Sequence, residues 1–331
     1  MISLSPKPAL RGAGSFRVLD LKPRVEEFVV AALAGLAACP KAIAPKFFYD
    51  KRGSDFFNRI CETPEYYVTR TELRMLDDFG PEIAALTGPA ASVVEFGCGS
   101  PDKIRRLLAA LDAPADYVAI DISYDQLVAS AEEIAIENPD LNVSAICADF
   151  SAGFTLPPEL CDGEGRRLAF FPGSTIGNQM PEEAEDFLQL VRGVVGAGGA
   201  LLIGVDLKKD EAILNRAYND SAGETAGFNL NLLHRMRDEL GADLDPDAFA
   251  HRAFYNKTLG RIEMHLVSND AQQVRLNGHK FAFAAGETIH TECSYKYELD
   301  EFADLAKRAG FAVRRSWTDP GHLFSIHFLE A

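Results

Sequence analysis

Short apolar runs recur near residues 93–96, 117–121, 143–148, 168–172 and 200–205, and helical spacing fills the gaps between them. Ile104, Leu107, Leu108 and Leu111 recur at i, i+3, i+4 and i+7, one face of an amphipathic helix. Ala184, Phe187, Leu188 and Val191 repeat that spacing, with Pro181 at the first-turn position that tolerates it. Ser123-x-x-Gln126 has the form of a capping box. Strands alternating with helices over residues 70–208 predict an α/β fold with a parallel, doubly wound sheet. Ligands of such sheets bind beyond the carboxyl ends of the strands.

The flanks read differently. Residues 1–20 carry prolines and glycines without periodicity and predict a flexible arm. Pro23 opens an expected helix through about Ala38. Residues 209–240 read as helical and residues 250–295 as antiparallel strands. In the run Arg261 to Leu266, Ile262, Met264 and Leu266 share one face and His265 takes the other. Asn277-Gly278 signals a hairpin. Residues 298–310 predict a helix stopped by Gly310, followed by two closing strands, the last of them antiparallel. The expected division is therefore residues 70–208 with 296–331 as one domain, and 21–69 with 209–295 as a second α+β domain covering its ligand edge.

Candidate chemistry starts at Gly97-Cys98-Gly99, on the turn from the first of these strands to its helix. Bare backbone there admits a nucleotide-like ligand. Asp121 closes the next strand run, where an acid accepts hydrogen bonds from ribose hydroxyls. Asp149-Phe150 follows the third run, and an acid beside an aromatic suits adenine. The third glycine of the dinucleotide fingerprint is missing, because Pro101 and Asp102 stand there. An acid beside a diphosphate is repulsive, so these residues favour S-adenosylmethionine over NAD; a plain doubly wound sheet also needs such glycines and acids. Asn178, after the fourth run, offers a donor and an acceptor to an amino acid, and equally reads as a turn residue. Glu292 and Ser294 share a strand face opposite Cys293, a carboxylate and a hydroxyl able to serve the two nitrogens of an imidazole; standing alone, the pair is a solvated strand face. Tyr49, Tyr66 and their aromatic neighbours are core residues or pocket hydroxyls.

Net charge narrows the partners. At -16 and without a Lys/Arg cluster, nucleic acid and anionic membranes are not expected. Six scattered cysteines suggest free thiols in a reducing compartment, and no apolar leader is visible, so a cytoplasmic location is expected. The apolar stretch Phe28 to Ala38 is too short to span a bilayer. The seven histidines show no metal-ligand spacing, and no metal is expected.

Several stretches resemble the histidine-specific Nα-methyltransferases of ergothioneine biosynthesis. They are the run from Lys46 to Phe57, Pro64 to Glu72, Pro172 to Asn178, Ala217 to Asn229, Arg261 to Met264 and Thr291 to Ser294. The resemblance runs from about residue 22 onward and rests on these stretches in combination. It implies a class I S-adenosylmethionine-dependent methyltransferase sheet, Rossmann-like, with a second substrate domain. It implies that Gly97, Lys103, Asp121, Asp149, Phe150 and Gly173 contact the methyl donor. It further implies that Tyr66, Asn178 and Tyr218 hold the substrate carboxylate, that Glu292 and Ser294 read the imidazole, that Met264 lines that side, and that Tyr49 lies near the amine. The implied reaction is three methylations of L-histidine, through its mono- and dimethyl forms, to the betaine hercynine by a monomeric enzyme. An N-methyltransferase for a tryptophan derivative, or a non-catalytic small-molecule binder, are the alternatives. Phe47 stands where the family often has Trp, and Cys98 and Pro101 depart within the glycine turn.

Overall fold

A computed structural model of the chain describes residues 14–21, 28–150, 155–161 and 163–331. The glycine turn and its flanking runs build the centre of an eight-stranded sheet. Strand β1 (Phe16–Asp20) comes first, followed by α1 (Phe28–Ala37), the short β2 (Lys41–Ala42), α2 (Lys51–Glu62) and α3 (Tyr67–Thr87). The alternating unit then runs β3 (Ser92–Phe96), α4 (Asp102–Ala110), β4 (Asp116–Asp121), α5 (Tyr124–Glu137), β5 (Asn142–Cys147), β6 (Arg167–Phe171), α6 (Pro181–Val195) and β7 (Ala200–Asp206). Each of these runs is apolar because the sheet is covered on both faces. Val93 and Val94, both fully buried, point into two separate core clusters.

An insertion follows: α7 (Glu211–Ala217), α8 (Glu224–Leu240), β8 (Phe249–Asn256), β9 (Arg261–Ser268), β10 (Gln272–Leu276), β11 (His279–Phe283) and β12 (Thr288–Tyr295). The chain returns through α9 (Leu299–Arg308), β13 (Ala312–Thr318) and β14 (Phe324–Glu330). The large sheet has the order β1-β5-β4-β3-β6-β7-β14-β13. Its strands are parallel from β1 to β7, and β14 is antiparallel to both neighbours, as the sequence predicts for the last strand. Because β4 lies on one side of β3 and β6 on the other, the winding reverses between β3 and β6. That reversal opens a crevice at the carboxyl ends of these two strands. A second sheet, ordered β2-β12-β9-β8, stands beside it, and β10 pairs with β11 across the expected Asn277-Gly278 turn.

Four expectations need correction or limits. The arm expected over residues 1–20 is partly an edge strand, because Phe16–Asp20 pairs in parallel with Val143–Cys147; residues 1–13, and Pro23 with its helix start, lie outside the described residues. The Ser123 side chain makes no capping bond; the Asp121 carboxylate accepts the Ser123 N–H instead, at 2.8 Å. The helical stretch after residue 209 is two helices. Asp220 accepts the N–H groups of Glu224 and Thr225, both at 2.8 Å, and starts α8 afresh. Helix α3 runs unbroken from Tyr67, so a boundary between residues 69 and 70 falls inside it.

Candidate active site

The cofactor candidates gather at the crevice. Gly97 follows β3 with φ +75°, and its N–H donates to the Ile120 carbonyl at 2.8 Å. A Cβ added there would meet no atom within 4 Å, so the turn presents bare backbone to open space. Asp121 ends β4, and burial, opposed by the Ser123 and Ile122 N–H groups, pushes its carboxyl up to about 6. Asp149 and Phe150 follow β5. The Phe150 ring packs edge-on against Phe96 at 5.5 Å and tilted against Phe187 at 5.6 Å. Lys103, in the first turn of α4, pairs with Glu72 at 2.7 Å. Glu72 is fully buried and also accepts the Gly173 N–H through both oxygens, at 3.0 and 2.9 Å. Gly97, Lys103 and Gly173 thus border the same crevice from β3, α4 and β6. Exposed glycine backbone flanked by acids, with no third glycine for a diphosphate, fits a neutral nucleoside carrying a sulfonium.

The substrate candidates converge on one cavity. Tyr49, Tyr66, Asn178, Tyr218, Met264, Glu292 and Ser294 all line it, and Gly173 reaches it from the cofactor side. Each arrives by a local device. Tyr49 precedes Asp50, whose carboxylate caps α2 through the Gly53 N–H and accepts from Asn231 on α8, both at 2.7 Å. Tyr66 stands at the start of α3 and Tyr218 at the end of α7, their rings 6.3 Å apart and edge to face. Met264 on β9 is directly opposite Glu292 on β12, in the face pattern expected from alternation. Cys293 turns the other way and lies 3.7 Å from the Asn178 carbonyl.

Burial sets the chemistry. Tyr66 and Tyr218 are each 8 % exposed and Tyr49 is 39 % exposed. Burial of the hydroxyls raises all three phenols above their ordinary value, so they keep their protons and act as donors. Glu292 is 8 % exposed, and burial pushes its carboxyl up to about 7 against the pull of Lys296. Among the described residues, no hydrogen bond reaches its carboxylate. The cavity therefore offers a ligand one proton-adjustable acid among phenolic donors and aromatic walls.

Sequence reasoning missed the groups beneath this surface. Lys296, fully buried, donates to Asp206 at 2.7 Å, Ser294 at 2.8 Å and Tyr218 at 3.0 Å. Burial opposes its charge, but Asp206 and Tyr218 together outweigh burial and hold the ammonium above the usual lysine value. Asp206 is itself fully buried and also accepts from Tyr67 at 2.9 Å and Lys209 at 2.5 Å. The signal was available: positions 292, 294 and 296 continue one strand face. A second chain ties β12 to Tyr218. Thr291 donates to Asn229 at 2.7 Å, Asn229 to His251 Nδ1 at 2.9 Å, and His251 Nε2 to the Tyr218 carbonyl at 3.0 Å.

Two other features lie apart from the cavity. Glu263, His265 and His290 place metal-capable atoms near one another on the opposite face of β9 and β12. The Glu263 carboxylate is already engaged there by Arg261 at 2.8 Å and His265 at 3.1 Å. An open depression over Lys209, Glu211 and Lys257 has paired charges, with Lys257 and Glu211 at 2.7 Å. Among the described residues, no helix is long and apolar enough to cross a membrane.

Comparison with known proteins agrees with this geometry. Residues 28–331 match the family described as "Histidine-specific methyltransferase, SAM-dependent". The Histidine N-alpha-methyltransferase of Mycolicibacterium smegmatis is 41 % identical over 298 residues, covering 88 % of this chain and 91 % of the relative. Ergothioneine biosynthesis protein 1 of Neurospora crassa is 27 % identical, over 88 % of this chain and 33 % of that protein. A 4-dimethylallyltryptophan N-methyltransferase of Claviceps fusiformis is 28 % identical over 92 % of each chain. A match across nearly the whole length, joined to two-fifths identity with a named relative, places this chain in the histidine-specific, S-adenosylmethionine-dependent methyltransferases.

Proposed function

We propose that this protein methylates the α-amine of L-histidine three times to give hercynine, the first step of ergothioneine biosynthesis. The observation that carries the proposal is the meeting of Tyr49, Tyr66, Asn178, Tyr218, Met264, Glu292 and Ser294, scattered along the sequence, around one cavity beside the glycine turn. S-adenosylmethionine supplies an already activated methyl group on a positive sulfur. The chain's residues then supply alignment and exclusion of water, which lower a displacement barrier without covalent help. Tyr66, Asn178 and Tyr218 hold the substrate carboxylate. Glu292 and Ser294 take the ring and Met264 packs against it. Gly97, Lys103, Asp121, Asp149, Phe150 and Gly173 form the donor's side of the crevice. Tyr49 keeps its phenolic proton and orients the amine or a water beside it; it is not a base.

A cavity floor carrying a carboxylate and a hydroxyl disfavours an indole, which has one ring N–H and no ring acceptor. The tryptophan-directed alternative is therefore the weaker reading, despite the Claviceps relative. The domain reading follows the site: the described part of the segment before residue 70, from Phe28 on, and the insertion supply one wall of the cavity, with the monomer sufficient to form it. The test is mass spectrometry after incubation with S-adenosylmethionine and either histidine or 4-dimethylallyltryptophan. Gain of three methyls on histidine alone is expected; binding without mass gain would identify a binder.

A further inference from the structure

Lys296, Tyr218 and Ser294 form a closed triangle, with the two hydroxyl oxygens 2.9 Å apart and the ammonium 3.0 and 2.8 Å from them. Its third proton goes to Asp206. An ammonium has three donors and accepts nothing. It therefore occupies a lone pair on each hydroxyl. Of the two hydroxyl hydrogens, one is consumed between Tyr218 and Ser294. The pair is left with one hydrogen and one lone pair to offer a ligand, at exchangeable ends.

This inference rests on the histidine reading of the cavity. If the Tyr218 hydrogen goes to the substrate carboxylate, the Ser294 hydrogen must go to Tyr218. Ser294 then meets the ring with a lone pair, and the ring nitrogen facing it must carry hydrogen. The other ring nitrogen faces Glu292. We propose that the Tyr218–Ser294 pair, held together on Lys296, makes the bound ring and Glu292 share one proton more than free imidazole and carboxylate hold. The ring is bound as imidazolium against a carboxylate, or as imidazole against a carboxylic acid. In both forms neither ring nitrogen keeps a bare lone pair, so the α-amine is the one nucleophile left to react.

The groups facing Glu292 suit this role. Tyr49, Tyr66 and Tyr218 arrive from the α2, α3 and α7 ends and are neutral donors, Cys293 is its strand neighbour with a thiol raised by burial, and Lys296, whose pull lowers the Glu292 carboxyl, is ion-paired with Asp206. No second cation on these elements opposes the added proton among the described residues.

The test uses histidine betaine with S-adenosylhomocysteine, because the betaine has no amine proton to confuse the count. Calorimetry at pH 8.5 in buffers of different ionisation enthalpy reads protons taken up on binding. The parent protein is expected to take up about one proton per ligand, since ring and carboxyl are both mostly deprotonated when free. Tyr218→Phe removes the oxygen that takes the Ser294 hydrogen, so Ser294 is free to donate to the ring while the buried ion pair is untouched; uptake should fall to about half or less. Binding by the parent without uptake overturns the inference and leaves the functional reading intact. Undiminished uptake in Tyr218→Phe overturns the hydrogen-bond relay. A parent that neither binds the betaine nor methylates histidine overturns the functional reading, and this inference with it.

Discussion

The Glu72 carboxylate stands 2.7 Å from the Lys103 ammonium and simultaneously accepts the Gly173 backbone N–H. One side chain from α3 thereby joins α4 to the loop after β6, the two elements that flank the crevice.

Glu72→Ala leaves Lys103 without its partner and the Gly173 N–H without an acceptor. Breaking a buried pair from one side costs about 3 kcal/mol. Thermal unfolding should show that loss, and initial rates should show a raised KM for S-adenosylmethionine. An unchanged KM would mean the loop holds its place without Glu72.

Gly204 on β7 makes room for that carboxylate. A Cβ at this position would lie 2.0 Å from Glu72 Oε1 and 2.9 Å from the Phe324 ring. Gly204→Ala should therefore destabilise by about 1–3 kcal/mol through overpacking. It should also weaken donor binding in the same direction as Glu72→Ala. Denaturant midpoints and donor titrations check both.

In the proposed reading, Glu292→Ala removes the acid that faces the ring. Histidine turnover should fall by about one to three orders of magnitude, the span expected for a lost charge-assisted hydrogen bond. Rates with histidine and a tryptophan derivative, measured side by side, give the readout. Kinetics indistinguishable from the parent's would remove Glu292 from the ring site.

Glu292 also predicts a pH dependence of stability. Its carboxyl is raised from an ordinary 4.5 to about 7 by burial. Between those values the folded protein holds a proton that the unfolded chain releases, so stability falls as pH rises through this window. The cost is complete above about pH 7. Glu292→Gln removes it, and the ligand-free variant should be more stable than the parent by about 2–3 kcal/mol at pH 8. The gain should vanish near pH 4. Melting curves across that range decide the matter.

The large sheet was legible because its strands are buried on both faces and read as continuous apolar runs, from Val93 to Val205. The shared cavity face of Glu292 and Ser294 was legible because both alternate with Cys293. What alternation cannot show is where a charge goes. Lys296, Asp206 and Glu72 read as ordinary surface charges, yet each is fully buried and satisfied by partners far away in sequence. Phe16–Asp20 escaped notice because an edge strand needs one neighbour rather than a periodic face of its own. Ser123 misled because its N–H, which the Gln126 side chain would accept in a capping box, goes to Asp121. The break before α8 was written in Asp220, whose capping role shows only once Glu224 and Thr225 are seen to donate to it.

The loop after β6 carries Gly173 at one end and Asn178 at the other, both on the cavity wall, so in the proposed reading a single stretch of backbone meets both ligands. By thermodynamic reciprocity, whatever factor the nucleoside contributes to amino-acid affinity, the amino acid returns to the nucleoside in full. After each of the successive transfers the spent nucleoside must leave while a partly altered amino acid is still worth retaining, and this shared hinge of recognition is where that compromise is struck.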